Sequence, residues 1–293
     1  MATTPVWFIT AASSGFGLEM AKAALQKGHK VVATARSIDR IQELATLGAD
    51  IMTFDVTSSL ESMRATAKAV FDKYGRVDYL INAAGFLLEG ATEEVNDEEI
   101  LQSFNINVFG VMRTVKAFLP HIRGQPIGAN GKRSTIATFG SLASWNGGPS
   151  YSVYAMTKAS CSSLAESLSL ELAPFNIVST TIEPGYFRTG FLNSGARKSA
   201  DERIEVYEDA TTPAGQLREA LGAIDNNQPG DPVKGSILTV DILTQSGVAA
   251  GKEVPVRIVL GTDNYEFIKN KLQTTQEILD QWKDAICSTD YTK

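Results

Sequence analysis

Val6-Trp-Phe-Ile-Thr-Ala-Ala-Ser-Ser-Gly-Phe-Gly17 runs four apolar, strand-like residues into a glycine turn, and Leu18, Ala21 and Leu25 behind it have the spacing of a helix. Strand, glycine turn and helix in that order can cradle a phosphate. Gly15 and Gly17 let the backbone approach a ligand, and the helix start offers unpaired N–H groups and the positive end of its dipole. Alone, such a turn reads as well as an ordinary strand-to-helix connection. Strand-like segments recur, however, at residues 30–34, 50–54, 78–81, 134–139 and 177–182, with helical patterns between them. The alternation predicts an α/β fold: a Rossmann-type, doubly wound parallel sheet in a single domain, with ligands at the carboxyl ends of the strands.

With 293 residues, 43% hydrophobic and 20% charged, the chain suits one large α/β domain. Its formal net charge of −6 argues against nucleic acid and acidic membranes as partners, since both require a basic face. Cys161 and Cys287 lie far apart without a CxxC, and neither His29 nor His121 has a companion ligand, so no disulfide framework and no metal site is expected. Met1-Ala-Thr-Thr-Pro5 lacks the basic and apolar stretches of a leader. No apolar run approaches a membrane span, and the terminal Asp-Tyr-Thr-Lys matches no peroxisomal or reticulum-retention address. A cytoplasmic protein with a small-molecule partner is the expectation.

Tyr154-Ala-Met-Thr-Lys158 lies in a segment, about 152–173, that reads as a helix, so the two side chains stand one turn apart on one face. A free phenol titrates near 10; a fixed cation beside it favours phenolate and lowers that value. Lys158 is such a cation, and Ser141, thirteen positions before the tyrosine, adds a hydroxyl. By itself the pair more often means a half-buried tyrosine beside a solvated lysine.

In order along the chain, Thr10-x-x-x-x-Gly15-x-Gly17, Asn82-Ala-Ala-Gly85, Asn107, Ser141, Tyr154-xxx-Lys158 and Pro184-Gly185 resemble the short-chain dehydrogenase/reductase family, over roughly residues 5 to 260. Gly230-Asp-Pro232 and Val259-Leu-Gly261, before a final helix, resemble members acting on retinoids, steroids or other bulky apolar alcohols and ketones. Two positions depart from the family. Ala11 stands where glycine is usual, which should be harmless if its φ stays negative, and Gly140 stands where many relatives have serine.

The resemblance implies a catalytic set of Asn107, Ser141, Tyr154 and Lys158. Tyr154 would exchange a proton with the substrate oxygen and Ser141 would orient it. Lys158 would lower the phenol's pKa, bind the nicotinamide ribose and connect through water to Asn107; Asn105 is the rival asparagine, and the following Val-Phe-Gly favours Asn107. For the cofactor it implies Thr10, Ala12, Ser13, Ser14, Gly15, Phe16 and Gly17 at the turn, and Asp55 and Val56 at the adenine. Asn82, Ala83, Ala84 and Gly85 would follow the fourth strand, and Pro184, Gly185 and Thr189 would flank the nicotinamide beside Tyr154 and Lys158. Cofactor choice is read from residues: Ala35 stands where an acid would bind the ribose 2′-hydroxyl of NAD, whereas Arg36 can pair with a 2′-phosphate and Ser37 can add a hydrogen bond. NADP(H) is therefore expected, with Asp39 the one nearby carboxylate opposing it.

Residues 1–262 read as the catalytic domain, with a helical substrate lid at about 187–228, and 263–293 as a C-terminal helix and tail. Phe86, Leu142, Trp145, Tyr151, Tyr186 and Phe191 are candidate pocket walls for a medium-sized hydrophobic ketone or secondary alcohol, such as a polyketide, terpenoid, steroid or retinoid, with a place in secondary metabolism. Arg188 and Arg197 would instead meet a carboxylate. The loop at 124–131 has no role legible in the sequence. The family suggests a homodimer or homotetramer, while the apolar tail would equally favour a monomer by covering the usual interface. A non-redox enzyme on this fold (epimerase, dehydratase or cyclase) and an NADP-binding scaffold are the alternatives, and stoichiometric NADPH consumption separates them from a reductase.

Overall fold

β1 (Val6–Ile9) is buried along its whole length, as a strand covered on both faces must be, and its side chains alternate between two cores. Trp7 and Ile9 join a cluster with Met20, Ala24 and Val240, under α1 (Gly15–Gln26) and a later helix, while Phe8 meets Leu80, Phe118 and Ile136 on the opposite face. The computed structural model describes residues 4–193 and 195–291; residues 1–3, on which the reading of the leader rests, and Thr292 and Lys293 of the terminal tetrapeptide lie outside the described residues.

The chain continues through β2 (Lys30–Ala35), α2 (Gln42–Thr46), β3 (Asp50–Thr53), α3 (Leu60–Tyr74), β4 (Tyr79–Asn82), β5 (Leu87–Glu89) and α4 (Asp97–Phe104). A π-helical turn, Asn105–Phe109, leads into α5 (Gly110–Gly124), followed by β6 (Ser134–Phe139), α6 (Ser152–Leu172), β7 (Ile177–Pro184), β8 (Arg197–Ser199), α7 (Pro213–Ile224), α8 (Pro232–Thr244), β9 (Arg257–Leu260) and α9 (Thr262–Cys287). Seven parallel strands form one sheet in the order β3-β2-β1-β4-β6-β7-β9. The order reverses between β1 and β4, which opens the ligand crevice of a doubly wound sheet at their carboxyl ends. Thr10 closes the back of that crevice: its hydroxyl accepts the N–H groups of Ala83 (2.9 Å) and Ala84 (3.2 Å).

Two features were not anticipated. β9 extends the sheet at one edge, and β5 pairs in parallel with β8, fastening the segment after β7 to the body. The loop after α5 also has work: the buried Gln125 amide accepts the Val77 N–H and donates to the Val77 carbonyl, both at 3.0 Å, pinning the end of α5 to the start of β4. In α9, Asn264 and Ile268 are buried, but from Leu272 to the last described residue every side chain is exposed, so only the root of the tail covers the core. No helix among the described residues is long and apolar enough to cross a membrane.

Candidate active site

The turn after β1 is closed by backbone geometry. Gly15 has φ +56°, and a Cβ on Gly17 would lie 2.6 Å from the Ala11 carbonyl oxygen. Ala11 itself has φ +52°, which overturns the expectation of a negative value: alanine takes a left-handed conformation suited to glycine. Ser14 precedes α1 without a side-chain cap, so the first N–H groups of the helix are left for a ligand.

Two cavities open from this turn, and Ala11, Ser14 and Gly85 belong to both. The first, about 230 Å³, is lined by Gly15, Phe16, Gly17, Ala83, Pro184, Gly185 and Thr189, and by Ser141, Leu142, Tyr151, Tyr154, Lys158, Tyr186 and Phe191. The second, about 380 Å³, is lined by Ser13, Arg36, Ser37, Asp55, Val56 and Ala84, together with Arg40, Gln102 and Lys198, which the sequence reading missed. Arg40 lies four residues past Arg36; Lys198 could not have been found locally, because β8, beyond β7 in the chain, carries it there.

Several expected residues lie elsewhere. Thr10 and Ala12 are buried behind the turn, Thr10 bracing β4 and Ala12 donating its N–H to the Thr34 carbonyl at 2.8 Å. Asn82 is buried off both cavities, with its side-chain amide unpartnered among the described residues. Phe86 does not face Tyr154; it lines the second cavity and packs with Leu88, Val95 and Val153. Trp145 is turned out of the first cavity, its indole N–H on Glu183 (2.8 Å) and its ring 4.5 Å beneath the Arg257 guanidinium. Arg188 and Arg197 line neither cavity, and Arg188 bonds the Gln228 carbonyl at 3.2 Å.

α6 brings Tyr154 and Lys158 to the wall of the first cavity, both buried, with the ammonium 5.7 Å from the centre of the phenol ring. Lys158 donates to the Phe139 carbonyl at 2.9 Å and has no carboxylate within ion-pair distance among the described residues. Burial lowers its pKa. The same burial raises the Tyr154 phenol far above its ordinary 10, against a smaller lowering by Ser141. In the protein alone, desolvation thus opposes both charged forms, the phenolate and the ammonium.

Asn107 sits within the π-helical turn, its amide spent on the Phe86 N–H (3.0 Å), the Phe86 carbonyl (2.9 Å) and Thr157 (3.1 Å). Its neighbourhood is that of Lys158: a Cβ on Gly85 would stand 3.2 Å from Asn107 Oδ1 and 3.3 Å from Lys158 Nζ. The Asn107 backbone carbonyl accepts the Cys161 thiol at 3.0 Å. Asn105 is tied to Arg113 instead.

A family model described as short chain dehydrogenase matches residues 5–200. The chain belongs to the short-chain dehydrogenase/reductase family. A short-chain dehydrogenase from Streptomyces avermitilis is 31% identical and superimposes with a TM-score of 0.85, covering 99% of this chain and 100% of its own. The oxidoreductase BOA17 of Botryotinia fuckeliana is 29% identical over 285 residues, 96% of this chain and 97% of the relative. Actinorhodin polyketide ketoreductase, solved with NADPH, is 26% identical with a TM-score of 0.69, covering 89% of this chain and 97% of its own. The protein is thus an oxidoreductase of this family with ketoreductase-like neighbours, acting on a small molecule with a nicotinamide cofactor. The turn, the uncapped start of α1 and the Lys158 ammonium, which has no ion-pair partner among the described residues, fit such a group.

Proposed function

We propose that the protein is an NADPH-dependent carbonyl reductase, and in reverse an alcohol dehydrogenase, acting on a medium-sized hydrophobic ketone. The observation that carries this reading is the buried pair Tyr154 and Lys158 beside Ser141, at the wall of a cavity whose other sides are mostly apolar. Bound NADPH would supply hydride. Tyr154, whose phenol burial keeps protonated, is in the form needed to give a proton to the oxygen of a carbonyl being reduced. Ser141, which lines the same wall, would hold that oxygen. Lys158 keeps donors free for ribose hydroxyls, and its charge would stabilise the phenolate left behind.

Arg36 with Ser37, backed by Arg40 and Lys198, supports NADPH over NADH, because guanidinium pairs a phosphate through two parallel bonds. Leu142, Tyr151, Tyr186, Phe191, Leu192 and Leu221 support an apolar substrate. The test is cofactor oxidation at 340 nm with a panel of bulky ketones, comparing NADPH with NADH and wild type with Tyr154→Phe. The expected result is NADPH-selective turnover, reduced by roughly 10²–10⁴ in the variant, the usual worth of a positioned general acid. Tight NADPH binding with no ketone turned over would overturn it.

A further inference from the structure

Behind Ser141 and Lys158 lies a buried polar chain with no part in proton or hydride transfer. The Glu183 side chain, near the end of β7, is 0% exposed. Its Oε1 accepts from Arg257 at 2.6 Å and from the Ser162 hydroxyl at 2.7 Å, and its Oε2 accepts from the Trp145 indole at 2.8 Å. Ser162 is one turn beyond Lys158 on α6, and its hydroxyl oxygen lies 2.9 Å from that of Ser144. Ser144 in turn accepts the Ser141 backbone N–H at 3.1 Å and donates to the Lys158 carbonyl at 2.9 Å. One hydroxyl therefore grips the backbones of two of the residues around the reacting oxygen, and a second ties that grip to the carboxylate.

Gly140 makes room for this arrangement. A Cβ there would stand 2.7 Å from Ser162 Oγ, 2.8 Å from Thr181 Oγ1 and 2.9 Å from Glu183 Cγ. The glycine before Ser141 and the buried glutamate are two halves of one feature: the space a serine side chain would take is filled from β7 and α6. Ser144 spends its hydrogen on the Lys158 carbonyl, so Ser162 shares its single hydrogen between Ser144 Oγ and Glu183 Oε1, and the carboxylate, held by Arg257 and Trp145, fixes where that hydroxyl sits.

We infer that Glu183 is a positioning residue, which through Ser162 and Ser144 fixes the backbones of Ser141 and Lys158. The inference rests on the reductase reading for its effect on turnover, but not for its effect on the backbone. The experiment uses the full chain carrying Glu183→Gln, Ser144→Ala or both, with two readouts: hydrogen exchange of the Ser141 amide, and kcat and KM for ketone and NADPH. Glu183→Gln should speed exchange at Ser141 and lower kcat, each about tenfold, short of the roughly hundredfold that a 1 Å misplacement can cost. The KM for NADPH should not move. The double variant should be no worse than Ser144→Ala alone, because both cut the same chain. Unchanged Ser141 exchange in a folded Glu183→Gln protein, or strictly additive losses in kcat, would overturn the inference. If the amide loosens while the wild type reduces no ketone, the positioning role stands and the reductase reading falls. Should Glu183→Gln not fold, Ser162→Ala cuts the chain while leaving Arg257 and Trp145 on the carboxylate, and must show the same loosening.

Discussion

The floor of the cleft and the segment between β7 and α8, expected from the sequence to be its lid, are held in place by different forces. At the floor the holding groups are uncharged: the Thr10 hydroxyl braces the Ala83 and Ala84 N–H groups, the Ala12 N–H bonds the Thr34 carbonyl, and Gly17 closes on Ala11. The segment between β7 and α8 is instead clasped by charge. Glu89, at the end of β5, takes Ser199 at 2.9 Å, Arg203 at 2.9 and 3.1 Å and Arg218 at 2.8 Å, while the fully buried Glu94 takes the Ile204 N–H at 3.0 Å and Arg218. A floor held by peptide groups and a hydroxyl resists changes of charge. A lid clasped by a few long side chains can be released by one substitution or one proton.

Removing Arg218 should produce the largest effect. Arg218→Ala strips a guanidinium from two buried carboxylates, and breaking such a pair from one side costs about 3–5 kcal/mol. The loss should fall on the lid: ketone KM rises more than tenfold, limited proteolysis cuts within 200–225, and NADPH affinity barely changes. Equal losses in ketone and NADPH binding would mean that floor and lid are one unit. Acid should do gradually what Arg218→Ala does at once. Burial pushes the Glu89 carboxyl up, but hydrogen bonds from Arg203, Arg218 and Ser199 outweigh it and hold the group at about 2. A carboxyl with a folded value below its ordinary 4.5 adds stability that is present above that pH and lost as pH falls toward 2. Proteolysis of the lid should therefore increase between pH 4.5 and 2, and Glu89→Gln should flatten that rise.

At the other end, Arg36→Ala should weaken NADPH by roughly 10–100-fold and leave NADH unchanged, the size expected for charge-assisted hydrogen bonds to a phosphate. Fluorescence titration with both cofactors measures it. An unaltered preference would hand the phosphate to Arg40 or Lys198 and would join the lid to the cofactor through β8, blurring the contrast between the two regions.

The same contrast explains what the sequence could reveal. The six strands read as apolar runs lie in the sheet, and Ser141, Tyr154 and Lys158 meet at one wall, because a turn and a helical i, i+4 pair are local facts. β9 is four residues with every other one buried, and β5 and β8 are three residues each, too short for periodicity to register. Their pairing is set by distant partners. Trp145 and Phe86 show the same limit. Aromatic residues beside a site look like pocket wall, but Trp145 is turned away by Glu183 and Arg257, and Phe86 lines the second cavity, its backbone gripped by Asn107. The clasp on Glu89 joins residues more than a hundred positions apart, which no local pattern records.

The smallest effect should come from Ala11→Gly, and it tests the floor on its own terms. A non-glycine residue in the left-handed region costs about 1–2 kcal/mol, since Cβ crowds the following carbonyl. Glycine would remove that cost but would also free the unfolded chain, giving back about 0.4–1 kcal/mol. The net expectation is a gain of about 0.5–1 kcal/mol, or about 2 °C in Tm for a chain of this size. NADPH affinity should stay within about twofold, because the Ala12 N–H still bonds the Thr34 carbonyl and Gly17 still packs on the residue 11 carbonyl. A Tm that falls would mean that the Ala11 methyl packs against something worth more than its strain. A Tm that rises while lid proteolysis stays the same would show that the floor answers to backbone conformation and the lid does not.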